Sequence, residues 1–108
     1  MAEGNIAHPE SGSNTYGNYV CLENGTLIEW GRISITVPAQ SFAEATITFP
    51  KSFTGYPSMS LESELYSRPE YFSCMIRSAS PTAPVIRVAT SLTDDQSMYI
   101  NWIAIGKA

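Results

Sequence analysis

The last strand-like stretch of the sequence constrains the fold most. Residues 99–106 read YINWIAIG and are apolar at nearly every position. In an antiparallel sheet one face normally meets water, so a strand alternates between apolar and polar residues. Here the two faces carry Tyr99, Asn101, Ile103 and Ile105 on one side and Ile100, Trp102 and Ala104 on the other. Neither set is a solvent face, so we expect cover on both sides, in the middle of a sandwich or at a subunit contact.

Several shorter segments with a two-residue period precede this stretch. Residues 33–37 and 45–49 alternate between apolar and polar side chains, and a proline follows each. Further strands are predicted at residues 58–65, 72–77 and 85–90. No segment shows a sustained helical period. About six to seven short strands separated by turn residues predict an all-β fold, a small antiparallel β-sandwich.

The composition predicts one folded domain. The chain has 108 residues, of which 44% are hydrophobic and 15% charged, enough for one core. The net charge of −4 and the scattering of the six basic residues argue against nucleic-acid binding, because phosphates need a concentrated positive patch. The longest apolar run is too short to span a bilayer, so no membrane insertion is expected. The polar first residues are unlike a signal peptide.

Residues 1–17 differ in amino-acid composition from the rest of the chain. They are rich in Gly, Ser, Asn and Glu, and Ile6 is their single large aliphatic residue. Such a segment cannot bury enough apolar surface to offset its ordering entropy. We therefore expect a flexible polar tether over residues 1–17 and a β-sandwich domain over residues 18–108. His8, which lies in the tether, is expected to be uninvolved.

Asn24 and Gly25 predict a hairpin near the start of the domain. Asn-Gly is the preferred pair for a two-residue type I′ turn, because both central residues take positive φ. This turn would place Tyr19 opposite Trp30 and would leave both faces of the hairpin apolar. The same residues, followed by Thr26, also fit a glycosylation sequon. We favour the turn, because its backbone conformation accounts for the choice of both Asn24 and Gly25.

The hairpin and the last strand carry more apolar surface than one small sandwich can enclose. A sandwich has a single interior, so the surplus must lie on its outer faces. The simplest solution is a homo-oligomer in which outer sheet faces meet around an axis.

Cys21 and Cys74 are predicted to be small core residues, since each lies among apolar neighbours. A disulfide between them requires adjoining strands, and the sequence leaves that pairing open. A catalytic thiol would need a base, and the one histidine is remote.

Three segments resemble the C-terminal receptor-binding domain of bacteriophage or prophage tail fibres. They are YVCLENGTLIEWG at residues 19–31, ITFPKSF at residues 47–53 and WIAIG at residues 102–106. They are similar to that family's G-hydrophobic-hydrophobic-x-W-G hairpin, its F-P-x-x-F corner and its W-I-A-I-G end. From about Ile47 onward the chain is also similar to H-type lectin domains, which end in a comparable W-x-A segment.

The resemblance implies an H-type-lectin-like β-sandwich that trimerises at the distal tip of a tail fibre. Such a tip adheres to a host cell-surface carbohydrate or protein, acts outside the cell and is made in the bacterial cytoplasm. H-type lectins similarly assemble from three-subunit units and bind sugars near subunit boundaries. The alternatives are a structural module that trimerises and caps a fibre, and a cellular H-type lectin.

The predicted ligand-binding residues lie in two loops. They are Tyr66, Arg68, Glu70 and Tyr71 in the first loop and Asp94 and Asp95 in the second. Aromatic rings pack on the apolar face of a sugar, while arginine and carboxylates bond its hydroxyls or an acidic substituent. The aspartates contribute only if their loop lies at the same end as the first. The alternative for the first loop is a surface ion pair of Arg68 with Glu70.

Trp30 and Trp102 match tryptophans of the resemblance, and packing is the expected role of both. A buried tryptophan contributes a large apolar area while its N–H finds a partner. Ligand stacking is the alternative. Gly31 and Gly106 are predicted to be positions where a close approach leaves no room for a side chain.

Catalysis is not expected. Serine and cysteine hydrolase mechanisms need a histidine in the folded part, and none follows His8. Metal sites built from histidine and cysteine are absent for the same reason, and no cofactor is predicted. Glu62 and Glu64 share a strand face at about 7 Å, which suits an inverting glycosidase but more often marks a solvent face. Calcium held by Asp94 and Asp95 is a further alternative.

Overall fold

The computed structural model describes residues 10–64 and 71–108, and they form eight antiparallel strands in two sheets. The strands are β1 (Glu10–Ser13), β2 (Gly17–Cys21), β3 (Thr26–Val37), β4 (Phe42–Thr46), β5 (Ser58–Glu64), β6 (Phe72–Ser78), β7 (Val85–Thr90) and β8 (Gln96–Lys107). The predicted all-β fold, a small antiparallel β-sandwich, is confirmed, with eight strands where six to seven were expected. Among the described residues there is no helix with the length and apolarity to cross a membrane.

The larger sheet has the strand order β1-β2-β3-β8-β5, and the smaller sheet has the order β4-β7-β6. The long strands β3 and β8 pair along their whole length, from Thr26 opposite Lys107 to Val37 opposite Gln96. The strand that dominates the sequence therefore has a neighbour on each side, β3 and β5. One of its faces lies in the core, and the other lies on the outer surface of the larger sheet.

The core fills the space between the two sheets. Its buried apolar residues are Leu27, Ile35 and Val37 of β3, Met98, Ile100, Trp102 and Ala104 of β8, Ile86 and Val88 of β7, and Ile47, Phe49 and Phe53 of the β4–β5 connection. The ring centroid of Phe49 lies 5.0 Å from that of Phe53 and 5.5 Å from that of Trp102. Ile47 and Phe49 lie beyond the end of β4, although residues 45–49 were expected to form one strand. Their N–H groups instead donate to the Pro84 and Thr82 carbonyls.

The register of the β2–β3 hairpin differs from the prediction by one residue. Tyr19 lies opposite Glu29, and Asn18 lies opposite Trp30. Because side chains alternate across a strand, a shift of one residue exchanges the two faces of one strand relative to the other. Glu29 therefore enters the interior, and Trp30 lies on the outer face of the larger sheet.

The turn chemistry explains this shift. The N–H of Gly25 donates to the Leu22 carbonyl at 2.9 Å, and the N–H of Leu22 donates to the Thr26 carbonyl at 2.8 Å. Gly25 has a φ of 89°, whereas Asn24 does not take a positive φ. This pattern matches a three-residue loop in which a type I turn ends in a left-handed glycine, not the predicted type I′ turn.

Glu29 is completely buried as a consequence of that register. Its Oε1 accepts a hydrogen bond from the Lys51 N–H at 3.0 Å. Its Oε2 and the buried Nε1 of Trp102 have no hydrogen-bond partner among the described residues. Burial raises the pKa of Glu29 to about 7, although the contacts with Lys51 act in the opposite direction.

The end of the segment expected to be a tether is an edge strand. Glu10–Ser13 forms β1 and pairs with β2, with Glu10 opposite Cys21 and Ser13 opposite Asn18. The Tyr19 hydroxyl also donates to Glu10 Oε2 at 3.0 Å. An edge strand held by backbone hydrogen bonds needs no apolar face, so its polar sequence carried no strand signal. Residues 1–9 lie outside the described residues, and the tether stays a prediction.

Cys21 and Cys74 are both free. Cys21 belongs to the larger sheet and Cys74 to the smaller one. Both pack against the core, as predicted. Burial raises the pKa of the Cys74 thiol.

Candidate functional site

The strand registers bring several connections together at one end of the sandwich, named here the loop end. Strand β3 ends there and β8 begins there, because Val37 lies opposite Gln96. Strand β5 ends beside β8 at Glu64. Strand β7 ends and β6 begins there as well, with Phe72 opposite Thr90. The β2–β3 turn, the β6–β7 connection and the final residue of β8 lie at the opposite end.

Tyr71, Asp94 and Asp95 all lie at the loop end, so the described residues of the ligand hypothesis share one end of the sandwich. Tyr71 is exposed, and its carbonyl accepts a hydrogen bond from the N–H of Ser91 at 3.1 Å. The other predicted ligand residues, Tyr66, Arg68 and Glu70, lie outside the described residues. A role in ligand binding stays a prediction for all six.

Asp95 has a structural contact that the sequence did not reveal. Its Oδ1 accepts a hydrogen bond from the Ala39 N–H at 2.9 Å, which holds the β3–β4 connection against the β7–β8 loop. The Asp94 carbonyl accepts a hydrogen bond from Gln96 Nε2 at 3.0 Å. Within residues 10–64 and 71–108, no group of three or more acidic, cysteine or histidine side chains is placed to hold a metal ion.

A polar cluster on the outer face of the larger sheet was missed by sequence reasoning. It consists of Arg32, Glu64, Tyr99 and Asn101, which the registers place on neighbouring strands. Arg32 Nη2 donates to Glu64 Oε2 at 2.6 Å, and Asn101 Nδ2 donates to Glu64 Oε1 at 2.7 Å. The Arg32 guanidinium carbon lies 4.0 Å from the centroid of the Tyr99 ring. These contacts hold a carboxylate, a cation and an aromatic ring together across β3, β8 and the end of β5.

The electrostatics of Glu64 argue against its acting as the general acid of a glycosidase. Hydrogen bonds from Asn101 and Arg32 lower the pKa of Glu64. The general acid of a glycosidase needs the opposite, a raised pKa that keeps its proton available. Glu64 is therefore unsuited to the role of that general acid.

An open cavity of about 670 Å³ adjoins the polar cluster. Its lining includes Ser34, Glu62, Glu64, Ser97 and Tyr99. Its volume is in the range of small-molecule sites, about 300–1,000 Å³. Hydroxyls and carboxylates around one aromatic ring offer hydrogen bonds and a stacking surface, which is the chemistry that a saccharide requires.

The part of the larger sheet's outer face that lies farther from the loop end forms an exposed apolar patch. It consists of Val20, Ile28, Trp30, Ile103 and Ile105. Trp30 lies opposite Ile103, and Ile28 lies between Val20 and Ile105. Trp30, Ile103 and Ile105 are 42%, 41% and 45% exposed. The second apolar face of the last strand thus lies uncovered in the single chain.

The two tryptophans have different surroundings. Trp102 is 2% exposed and packs in the core, as predicted, whereas Trp30 lies in the apolar patch and does not pack in the interior.

The close approaches predicted at Gly31 and Gly106 are confirmed. A Cβ at Gly31 would overlap the Tyr16 carbonyl oxygen, and a Cβ at Gly106 would lie 2.9 Å from Phe53 Cδ1.

The two-sheet fold defines a small antiparallel β-sandwich module. The chain belongs to the family described as the C-terminal domain of gp53-like tail fiber proteins, whose model matches residues 21–107. The resemblance to tail fibre domains noted in the sequence is therefore confirmed. The family is one of structural tail fibre domains rather than of enzymes.

Two solved structures have a similar fold. One comprises the C-terminal part of a P. aeruginosa R1 pyocin fibre, and the other is an N-truncated R1-type pyocin tail fibre. Each is 19% identical with a TM-score of 0.72 over 93% of this chain. The match covers 28% of the first chain and 86% of the second. A comparison with curated proteins gave no match.

Proposed function

We propose that this chain is the receptor-binding tip of a phage or prophage tail fibre and that it adheres, as a homotrimer, to a host cell-surface glycan or protein. Membership of a tail fibre family supports the place of the chain in a phage-type or pyocin-type tail. The domain works by binding rather than by catalysis. It is made in the bacterial cytoplasm and acts outside the cell.

The exposed apolar patch supports self-association. Its five residues form a continuous surface across β2, β3 and β8. Leaving such a surface in water is unfavourable, and its burial against copies of itself would cover the second face of β8. The number of three subunits comes from the tail-fibre resemblance.

The observation that carries the adhesion proposal is the direction of the chain relative to the loop end. Strand β1 begins at the opposite end, because Glu10 pairs with Cys21 next to the β2–β3 turn. A fibre shaft joined through β1 therefore leaves the loop end pointing away from the shaft. Tyr71, Asp94 and Asp95 lie at this end. Of the polar cluster, Glu64 and Tyr99 lie nearest to it, and Arg32 and Asn101 lie at the middle of their strands.

Substitution of the first loop tests adhesion against a purely structural cap. The triple change of Tyr66, Arg68 and Tyr71 to alanine should abolish binding to host cells while the solution mass stays unchanged. The matched control is Tyr56→Ala, since Tyr56 is 74% exposed and lies near the other end. If the domain is only a structural cap, the triple alanine variant should bind cells as well as Tyr56→Ala does. That result would contradict the proposal.

A further inference from the structure

The outer face of the smaller sheet places two arginines on a single carboxylate. Arg87 contacts Glu44 Oε2 through Nη2 at 2.6 Å and through Nε at 2.8 Å. Arg77 Nε lies 2.9 Å from the same oxygen. Two positive charges around one negative charge leave a local charge of +1, although the whole chain carries −4.

Arg77 retains hydrogen-bonding capacity that faces solvent. Its side chain is 52% exposed, and among the described residues no protein group accepts a hydrogen bond from its Nη1 or Nη2. A guanidinium presents its donors in a planar fork that fits a carboxylate or a phosphate. Arg77 can therefore bind an external oxyanion with its two terminal nitrogens while Nε stays on Glu44.

Apolar side chains flank the two arginines. The Arg87 guanidinium carbon lies 4.2 Å from the centroid of the Phe42 ring, and Phe42 and Met75 are both about half exposed. Met75 lies opposite Arg87 on β6. An arginine pair next to an aromatic ring offers both charge and a stacking surface, which matches a sugar that carries an acidic group.

The comparable cluster on the larger sheet has a different balance of charge. There Arg32 pairs with one carboxylate, Glu64, and Glu62 lines the adjoining cavity. That surface has no excess positive charge. The two sheet faces also point to opposite sides of the sandwich, so association through the apolar patch leaves the smaller sheet accessible.

We propose that the outer face of the smaller sheet, through Arg77 and Arg87 with Phe42 and Met75, is a binding surface for the phosphate or carboxylate groups of an acidic cell-surface polysaccharide. This surface is separate from the loop end, so it holds whether or not the first loop contacts a receptor.

The test uses the full chain immobilised for biolayer interferometry. The probes are polygalacturonate, which carries carboxylates, phosphomannan, which carries phosphates, and dextran, which is neutral. We expect binding to one or both acidic polymers, weakening as salt is raised, and no comparable binding of dextran. Arg77→Gln should reduce the affinity about tenfold or more, as the loss of charge-assisted hydrogen bonds implies.

Two further variants make the result decisive. Lys107→Gln removes one positive charge from the end of the last strand of the larger sheet, away from the two arginines, and should leave binding unchanged. Glu44→Gln raises the local positive charge and should tighten binding of the acidic polymers, an effect that a purely structural role would not produce. A preference for one acidic polymer would identify the group that is recognised.

Three results would overturn the proposal. They are the absence of binding to both acidic polymers, equal binding of dextran, and equal losses in Arg77→Gln and Lys107→Gln. Failure of the loop-end proposal would show instead as unchanged cell binding by the alanine variant of the first loop. The two proposals can therefore fail independently.

Discussion

Replacing Glu29 by glutamine is expected to remove a pH dependence of stability. Glu29 is completely buried, and burial raises its pKa from an ordinary 4.5 to about 7. A raised pKa means that the folded state holds the proton more tightly than the unfolded state does. The stabilisation is therefore complete below about pH 4.5 and is lost as the pH rises through about 7.

The size of this effect follows from the two pKa values. One pH unit of difference corresponds to about 1.4 kcal/mol. The rise from 4.5 to about 7 therefore lowers the free energy of unfolding by roughly 3 kcal/mol between pH 4 and pH 8. Glutamine has nearly the same shape, can still accept the Lys51 N–H hydrogen bond, and does not titrate.

The assay is urea unfolding of the wild type and Glu29→Gln, followed by tryptophan fluorescence at several pH values and one protein concentration. A fixed concentration is needed because the proposed self-association would contribute to apparent stability. The stability of the variant relative to the wild type should rise by roughly 3 kcal/mol from pH 4 to pH 8. Any constant cost of the amide group cancels in this comparison.

Glu64→Gln provides a control of opposite sign. The pKa of Glu64 is lowered by hydrogen bonds from Asn101 and Arg32. The wild type should therefore lose stability relative to this variant as the pH falls. A stability difference between Glu29→Gln and the wild type that stays constant from pH 4 to pH 8 would refute the reasoning about Glu29.

Three further predictions follow from the described contacts. Ile103→Asp places a charge in the apolar patch and should convert the proposed trimer to a folded monomer, as measured by light scattering and circular dichroism. Gly31→Ala should lower the free energy of unfolding by roughly 2 kcal/mol or more, because the new Cβ would overlap the Tyr16 carbonyl; a melting curve equal to that of the wild type would contradict this. Asp95→Ala should cost about 1 kcal/mol in chemical denaturation through loss of the hydrogen bond to Ala39.

The strands that the sequence identified well are those in which burial dictates the pattern. Residues 85–90 were predicted as a strand with the observed bounds, because β7 is the central strand of the smaller sheet. The apolar run of β8 likewise identified it as a strand, but because both of its faces are apolar the sequence did not show which one lies in the core.

The features that the sequence did not reveal depend on backbone geometry and on strand pairing. Asn24 and Gly25 suit two turn types, and the choice between them moves Glu29 into the core and Trp30 out of it. Strand β1 is polar and is held by backbone hydrogen bonds, so it has no apolar period.

The polar cluster was missed for a related reason. Arg32, Glu64 and Asn101 are distant in the sequence, and each looks like an ordinary solvent-facing residue of its own strand. They meet only because β8 lies between β3 and β5. Strand order of this kind cannot be read from local sequence patterns, whereas the position of the predicted loops at one end follows once the order is known.

The solution mass of the chain tests the central claim, that this domain is a trimeric fibre tip, most directly. Light scattering should give three times the chain mass of 11.8 kDa. Ile103→Asp should reduce this to a single chain, while Tyr56→Asp, a charge introduced outside the apolar patch, should leave it unchanged. A wild-type chain that remains a stable monomer at high concentration would contradict both the trimer and the role assigned to the apolar patch.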